Sequence, residues 1–323
     1  MRAVRVIPHP DGGRIEIQDI PTPQPKAGQV LVRVRASGLN RGEITQARDR
    51  VSGDPITVGV EFAGEVAAVG AGVQGFKEGD RVIGHGKECQ AQYTLADPLA
   101  LMPMPAGLGW IEAASFLNAF VTAHDAVITN GQLKKGESIL INAASGGVGW
   151  AALQIAHLWG AKPVIATSRS AAKLDKVREY GVDVGIDTSK ESLLDGVMRA
   201  TDKRGVDLII DMVGGPVFED NVKALAVCGR LVNIARLGGQ TAQIDLSQLW
   251  LKRLKLIGVT FRTRSEAERL ACVQACIRDT LPWLRENRIR WAIDKTFPLE
   301  EIHAAHAYMM KAEHIGKIVL TIE

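Results

Sequence analysis

The chain has 323 residues, which at roughly 150 residues per domain is enough for two domains with sizeable apolar cores. Hydrophobic residues make up 46% and charged residues 23%, a composition that excludes an intrinsically disordered chain. The net charge is +3, and no basic cluster or RNA-binding motif is present, so a dedicated nucleic-acid partner is not expected.

The first elements of the chain predict a module rich in β-structure up to about residue 120. Runs of β-branched and apolar residues, separated by turn residues, lie at 30–34, 65–69, 81–83 and 91–95. Short strands at such spacing are typical of an all-β, partly barrel-like fold. The glycines and prolines between these runs are therefore interpreted as turn residues.

From residue 121 the pattern changes to strands that alternate with helices. Strands are predicted at 138–141, 163–167, 182–186, 206–210, 231–234 and 254–259, and helices at 148–158, 170–180 and 189–200. Parallel strands need crossover connections, so this alternation predicts a parallel sheet with helices on both faces.

A long helix and a short tail follow residue 262. Ser265 and Glu268 have the spacing of a capping box at the helix start, and Pro282 is expected to bend or end the helix. A helix at 300–310 and a strand at 317–322 close the chain, and we expect this strand to return to the first domain. The predicted domains are 1–120 together with 263–323, and 121–262.

No segment has the pattern of a membrane span or an export signal. The longest stretch without charged residues, 138–161, is interrupted by polar residues such as Asn142 and Gln154. The first twenty residues lack the apolar core of a signal peptide. The four cysteines contain no CxxC pair, which favours a reduced, cytoplasmic protein with no membrane partner.

The strand at 138–141 leads directly into a glycine-rich turn and a helix. The segment Ala144-Ser145-Gly146-Gly147-Val148-Gly149 is the dinucleotide fingerprint G-x-G-x-x-G with its first glycine replaced by alanine. Gly146 allows close approach of a pyrophosphate, Gly149 allows close packing of helix and strand, and the first N–H groups of the helix bind the phosphate charge. The order of strand, turn and helix predicts a dinucleotide site.

The residues after the second strand favour NADPH over NADH. NAD sites usually have an acidic residue there, but no Asp or Glu occurs between Ser138 and Leu174. Ser168, Arg169 and Lys173 can instead pair with a 2′-phosphate. The alternative is that Arg169 and Lys173 are solvated surface charges.

These motifs make the chain similar to the quinone oxidoreductase (zeta-crystallin) family of the medium-chain dehydrogenase/reductase superfamily. The similarity extends over nearly the whole chain, and it is carried by residues 59–64, 79–82, 136–140, 145–149, Gln154, 210–215 and 316–320. It implies an α/β protein with a GroES-like β-rich substrate domain, 1–120 plus 263–323, and a doubly wound Rossmann domain at 121–262 that binds NADP(H).

The resemblance also implies a protein without catalytic zinc. Zinc-dependent members have Cys, His and Cys where this chain has Asn40, Val60 and Asn118, and neither amides nor Val supply the ligands that zinc prefers. Three other pairs could suggest a metal, but each lacks a third ligand in the sequence. They are Cys272 with Cys276, His303 with His306, and His85 with Cys89.

Site roles follow from the resemblance residue by residue. Asn40 and Thr122 correspond to residues beside the nicotinamide, Thr188 to a residue bordering the adenosine, and Lys317 to a basic closing position. His124 is a candidate proton donor. The full predicted cofactor set is Asn40, Thr122, Ser145, Gly146, Gly147, Val148, Ser168, Arg169, Lys173, Thr188, Val213, Ala235, Arg236, Phe261, Arg262 and Lys317. For Arg262 and Arg264 a solvated loop is an equal alternative.

Without zinc to polarise an alcohol oxygen, reduction of an electron-poor acceptor is the expected reaction. Asn40 or a backbone N–H donor is expected to stabilise the developing oxyanion while NADPH reduces a quinone. An NADPH-dependent 2-alkenal or enone reductase, or an NADPH-binding structural or RNA-binding protein, are the alternatives. The apolar strand at 254–259 is expected to lie at a sheet edge and to pair in a homodimer.

Overall fold

The computed structural model describes residues 1–323 and divides the chain into two compact units. One unit is formed by Met1–Ala119 with Leu270–Glu323, and the other by Phe120–Arg269. The divisions fall after residues 119 and 269, where the sequence predicted 120 and 262. The second difference arises because the long helix after residue 262 begins within one unit and continues into the other.

The first part of the chain forms eight strands and three helices. The strands are β1 (Arg2–Ile7), β2 (Arg14–Asp19), β3 (Val30–Gly38), β4 (Ile56–Thr57), β5 (Glu61–Val69), β6 (Arg81–His85), β7 (Tyr93–Ala96) and β8 (Leu101–Pro103). The helices are α1 (Arg41–Arg48), α2 (Trp110–Ala114) and α3 (Leu117–His124), and α3 continues as a π-helical turn at Asp125–Asn130.

The second unit alternates strands and helices as the sequence predicted. Its strands are β9 (Ile139–Ile141), β10 (Val164–Ser168), β11 (Val184–Asp187), β12 (Val206–Asp211), β13 (Leu225–Asn233) and β14 (Lys255–Gly258). Its helices are α4 (Gly147–Trp159), α5 (Ala171–Val177), α6 (Leu193–Ala200), α7 (Gly215–Ala224) and α8 (Leu246–Leu251).

All six strands pair in parallel in the order β11-β10-β9-β12-β13-β14, the doubly wound order. The predicted position of the 254–259 strand at a sheet edge is confirmed. The central strands are buried on both faces, with Leu140, Ile165 and Ile209 in one core cluster. Because the strands are parallel, their carboxyl ends all lie along the same side of the sheet, perpendicular to the strand direction.

The C-terminal segment adds α9 (Glu266–Arg285), β15 (Ile293–Pro298), α10 (Ile302–Met310) and β16 (Lys317–Thr321). β16 pairs antiparallel with β3, placing Leu320 opposite Ser37, which confirms the predicted return of the last strand to the first unit. The main sheet of this unit has the order β15-β16-β3-β5-β6-β8, with β7 also on β3, and β2-β1-β4 form a second sheet.

Two local predictions differ from the structure. Of the two outcomes expected at Pro282, a bend or an end, the helix α9 does not show an end, because it continues to Arg285. α6 begins after Ser192, whose hydroxyl accepts a hydrogen bond from the Asp195 N–H, and not near Ser189, whose hydroxyl is bonded to Asp187. No helix of the chain is both long and apolar enough to span a bilayer.

Candidate cofactor and substrate sites

The turn between β9 and α4 presents a row of partly exposed residues at the helix start. Gly146 is the N-cap of α4, and residues 145–148 remain partly open to solvent while Ala144 and Gly149 are buried. The first N–H groups of a helix have no partner within the helix, so this end favours a negative charge. The predicted Ser145, Gly146, Gly147 and Val148 are therefore brought together here.

The two glycines of this turn differ in the space that surrounds them. A Cβ on Gly149 would lie 2.6 Å from the Ala144 carbonyl oxygen, so the close packing of α4 on the turn requires glycine. A Cβ on Gly146 would meet no protein atom closer than 3.7 Å, the carbonyl oxygen of Ala143. The space over Gly146 is thus left open by the protein, as a pyrophosphate cradle requires.

The end of β10 places polar and cationic groups beside each other. Ser168 is its last residue, and its hydroxyl accepts a hydrogen bond from the Ser170 N–H at 3.2 Å. Arg169 is exposed and pairs with no carboxylate, whereas Lys173 is half-buried on the first turn of α5. This strand end carries a cation where NAD sites have an acid.

One carboxylate lies at the neighbouring strand end. Asp187 is in register with Ser168, and its Oδ1 accepts hydrogen bonds from the Ser189 N–H at 3.0 Å and hydroxyl at 2.6 Å. These bonds lower the pKa of Asp187. Its hydrogen-bonding capacity is partly used in the turn. Thr188, predicted to border the adenosine, donates from its N–H to the Ser168 carbonyl at 2.9 Å and so lies beside the end of β10.

Buried Asp211 shapes the next two strand ends. Its Oδ1 accepts the N–H groups of Val213 at 2.9 Å and Gly214 at 3.0 Å, and its Oδ2 accepts Asn233 Nδ2 at 3.0 Å. The Asn233 amide also donates to the Ala235 carbonyl at 2.9 Å. The carboxylate therefore fixes the turns that carry Val213 and Ala235 at the same sheet edge.

The three arginines predicted after β13 and β14 differ in their exposure and contacts. Arg236, after β13, and Arg262, after β14, are exposed, and Phe261, the residue before Arg262, is half-buried. Arg264, for which a solvated loop was one alternative, instead forms a 2.7 Å ion pair with buried Asp125 and lies over the Phe261 ring.

Two predicted residues lie on α3. Thr122 is half-buried, and the edge-to-face contact of Phe120 with Trp150 packs this part of α3 onto α4. His124 is only 1% exposed. A proton donor must reach the substrate, so the geometry does not support the catalytic prediction for His124.

The first unit contains a buried ion pair next to Asn40. Lys317 and Glu61 have side chains only 4% and 1% exposed, and Lys317 Nζ lies 2.6 Å from Glu61 Oε1. The ammonium also donates to the Leu39 carbonyl at 3.2 Å and to Asn40 Oδ1 at 2.7 Å. All three of its N–H donors are used, so the geometry does not support a cofactor contact for Lys317.

The Asn40 amide is held on both sides. Its Nδ2 donates to the Gly38 carbonyl at 3.1 Å and to Glu61 Oε1 at 3.0 Å, while its Oδ1 accepts from Lys317 and from Asn118 Nδ2 at 2.9 Å. A substrate oxyanion would have to displace one of these bonds. The predicted oxyanion role of Asn40 therefore gains no support, although the side chain is partly open to solvent.

Glu43 is the second buried carboxylate of the cluster. It accepts hydrogen bonds from the N–H groups of Asn40 at 2.9 Å and Val60 at 3.1 Å, and from Gln90 Nε2 at 2.8 Å. Burial raises its pKa to about 7, opposed by the Asn40 N–H and the nearby Lys317 charge. Glu43 thus titrates near neutrality at the start of α1.

Asn118 connects this cluster to a half-buried histidine. Its backbone N–H donates to Glu61 Oε2 at 2.9 Å, and its Oδ1 lies 3.1 Å from Nε2 of His85. His85 is the last residue of β6. Three polar side chains of this cluster are partly exposed to solvent: Asn40, Asn118 and His85.

Both units of the chain match families of known proteins. Residues 26–144 match the family described as alcohol dehydrogenase GroES-like domain, and residues 147–275 match the family described as zinc-binding dehydrogenase. Over 307 residues the chain is 30% identical to quinone oxidoreductase-like protein 2 of Bos taurus, covering 94% of this chain and 88% of the relative. The chain is a quinone oxidoreductase-like member of the medium-chain dehydrogenase/reductase superfamily.

Solved structures of the superfamily agree over the full length. A mycobacterial protein complexed with NADPH is 26% identical, with a TM-score of 0.87 and coverage of 99% of both chains. An NAD-dependent alcohol dehydrogenase is 27% identical, with a TM-score of 0.88 and coverage of 100% of both chains. A nicotinamide-dependent oxidoreductase fold is therefore established for this medium-chain dehydrogenase/reductase, with its GroES-like and Rossmann domains.

The sequence of this quinone oxidoreductase-like protein left Glu61, Glu43 and His85 without a role. Glu61 follows Val60 in the 59–64 motif, which indicates the fold and no role for this carboxylate, and its partner Lys317 is 256 residues away. The sequence offers Cys89 as a partner of His85 in a metal pair, but the Cys89 thiol donates a hydrogen bond to the Lys87 carbonyl. The one sequence feature that could have indicated a role for His85 is its position three residues after Val82, the last residue of the 79–82 motif. That motif therefore runs directly into the strand that carries His85.

Proposed function

We propose that the chain is an NADPH-dependent reductase of quinones that acts without a catalytic zinc. The open space over Gly146 at the start of α4 carries the dinucleotide part of this proposal, because no protein atom would lie closer than 3.7 Å to a Cβ there and the first N–H groups of the helix favour a negative charge. Exposed Arg169 at the β10 end supports NADPH, since its guanidinium can pair with a 2′-phosphate. NADPH supplies the hydride when bound.

The polar cluster of the first unit supports reduction of an electron-poor acceptor. Where zinc-dependent members of the superfamily place metal ligands, Asn40 and Asn118 are amides that hydrogen-bond each other at 2.9 Å. No group of three or more His, Cys, Asp or Glu residues could hold a metal ion in this structure. The chain's own hydrogen-bond donors would then have to stabilise charge on the substrate oxygen.

The assay is consumption of NADPH with benzoquinone, phenanthrenequinone, acrolein and crotonaldehyde as acceptors. Turnover with the quinones supports the proposal, whereas turnover with the two alkenals alone supports an enone reductase. Metal analysis of the purified protein tests the zinc-free part independently. Stoichiometric zinc would contradict that part.

We also propose a homodimer through the free edge of β14. This edge strand has no partner on its outer side, and apolar side chains are exposed on β14 itself, on the preceding helix α8 and on the neighbouring strand β13: Leu256, Leu246, Trp250, Leu251 and Val227. Trp250 is 76% exposed on α8. A second copy of the strand would satisfy the free backbone groups and cover this patch. Sedimentation at twice the chain mass is expected, and a monomer mass would contradict the dimer.

A further inference from the structure

A chain of hydrogen bonds runs through the first unit from a fixed cation to a histidine. Lys317 Nζ donates to Asn40 Oδ1 at 2.7 Å, and Asn118 Nδ2 donates to the same oxygen at 2.9 Å. Asn118 Oδ1 then lies 3.1 Å from His85 Nε2. Lys317, at the buried end of this series of hydrogen bonds, determines which atoms donate and which accept along it.

An ammonium can only donate hydrogen bonds, so the oxygen of Asn40 must face Lys317. The Asn40 nitrogen faces two acceptors, the Gly38 carbonyl and Glu61 Oε1. Turning this amide over would place N–H groups against the ammonium and an oxygen against a carboxylate. Because the Asn40 oxygen is fixed, Asn118 must direct its NH₂ group at Asn40 and its carbonyl at His85.

The orientation of the Asn118 amide determines which nitrogen of His85 carries the hydrogen. Nε2 faces a carbonyl oxygen, so it must be an N–H donor whether the ring is neutral or charged. The ring therefore gains and loses its titrating proton at Nδ1. A histidine held in a single tautomer by a second group is the arrangement that general acid–base catalysis uses.

The surroundings of His85 suit a group that exchanges protons. It is half-buried, unlike His124, and it stands opposite Glu61 in the register of β5 and β6. The charge of Glu61 is balanced by Lys317 at 2.6 Å. The other charged groups nearby in sequence, Lys87 and Glu88, are exposed in the segment after β6. From α3 the side chain bonded to the ring is the neutral Asn118.

We propose that His85 is the catalytic acid that protonates the substrate oxygen, an inference that rests on the proposed reductase function. The cofactor supplies the hydride and both electrons of the reduction. As charge develops on the oxygen of the quinone or enone, the Nδ1–H bond of the imidazolium breaks and the substrate O–H bond forms. The electron pair of the broken bond stays on Nδ1, and the neutral ring keeps its Nε2–H bond to Asn118. A proton from water restores the imidazolium.

The kinetic test uses His85→Gln, whose amide N–H can still donate to Asn118 but cannot deliver a proton, with exposed His303→Gln as the matched control. We expect His85→Gln to bind NADPH as the wild type does and to lose about 100-fold in kcat, the scale of general acid catalysis. We also expect wild-type kcat to decline as the pH rises, because the imidazolium is the acid, and His85→Gln to lack this decline. Imidazole added to His85→Ala should restore part of the rate. Wild-type kcat in His85→Gln would overturn the assignment.

A second measurement needs no turnover and no variant. Proton–nitrogen correlation NMR on the wild type with isotope-labelled histidine reports the tautomer of the neutral His85 ring, and we expect hydrogen on Nε2. Hydrogen on Nδ1 would overturn the proposal. A wild-type protein that binds NADPH but reduces none of the acceptors would overturn the proposed function itself, and the NMR result would then show whether the hydrogen-bond chain is correct.

Discussion

Alanine at Gly146 and at Gly149 should separate cofactor binding from folding. In Gly149→Ala the new methyl would lie 2.6 to 2.7 Å from the oxygen, carbonyl carbon and Cα of Ala144. These are backbone atoms, so α4 or the turn must shift. Overpacking of this kind costs about 1–3 kcal/mol, and we expect that loss in the free energy of unfolding.

Gly146→Ala should behave in the opposite way. The methyl would meet nothing closer than 3.7 Å, and Gly146 has a φ of −79°, which alanine adopts without strain. The loss of stability should be limited to the difference between glycine and alanine at an N-cap, about 1 kcal/mol or less. The methyl would, however, fill the space proposed for the pyrophosphate. We expect NADPH binding to weaken at least ~10-fold, which corresponds to about 1.4 kcal/mol.

Two measurements on each variant separate an effect on NADPH binding from an effect on stability. Urea unfolding gives the change in stability, and isothermal titration calorimetry gives the Kd for NADPH. Gly149→Ala should lose stability and Gly146→Ala should lose affinity. Wild-type affinity in a folded Gly146→Ala protein would refute the position of the cradle, and so would a loss of affinity that simply follows stability in both variants.

Three further substitutions test other parts of the account. Arg169→Asp should shift the Kd ratio toward NADH by at least ~10-fold, because a charge-assisted bond to the 2′-phosphate is worth roughly 1.5–3 kcal/mol; an unchanged ratio would exclude that contact. The pKa of Glu43 rises from 4.5 to about 7 on folding, so the folded state holds this proton more tightly and stability should fall as pH rises through that interval. Glu43→Gln should remove up to ~3 kcal/mol of this pH dependence in urea unfolding, and an identical slope in both proteins would contradict the titration. Trp250→Glu places a charge on the exposed patch beside β14 and should shift sedimentation toward monomer, whereas an unchanged mass would place the contact elsewhere.

The parallel sheet could be predicted because its information is local. Strand 138–141, the glycine turn and the next helix follow one another in sequence, and the structure places them at Ile139–Ile141 and Gly147–Trp159. α7 and α8 were not predicted. α7 starts at Gly215-Pro216, which has the composition of a turn, and the six residues of α8 contain no buried position that would give an amphipathic period.

The polar cluster could not be predicted from sequence because its members come from distant segments. Lys317 was interpreted as a cofactor contact from its position in a motif, but the backbone brings it to Glu61 and Asn40, where its donors are used. His85 and His124 differ in burial and in hydrogen bonding. His124 is enclosed, whereas His85 is half-buried and bonded to Asn118, and neither property has a local sequence pattern.

The most direct test of the central claim is NADPH consumption by the purified wild-type protein with the panel of quinones and alkenals, together with the Kd values for NADPH and NADH. We predict tighter binding of NADPH than of NADH and turnover with a quinone. Tight NADPH binding without reduction of any acceptor, or a clear preference for NADH, would contradict that claim.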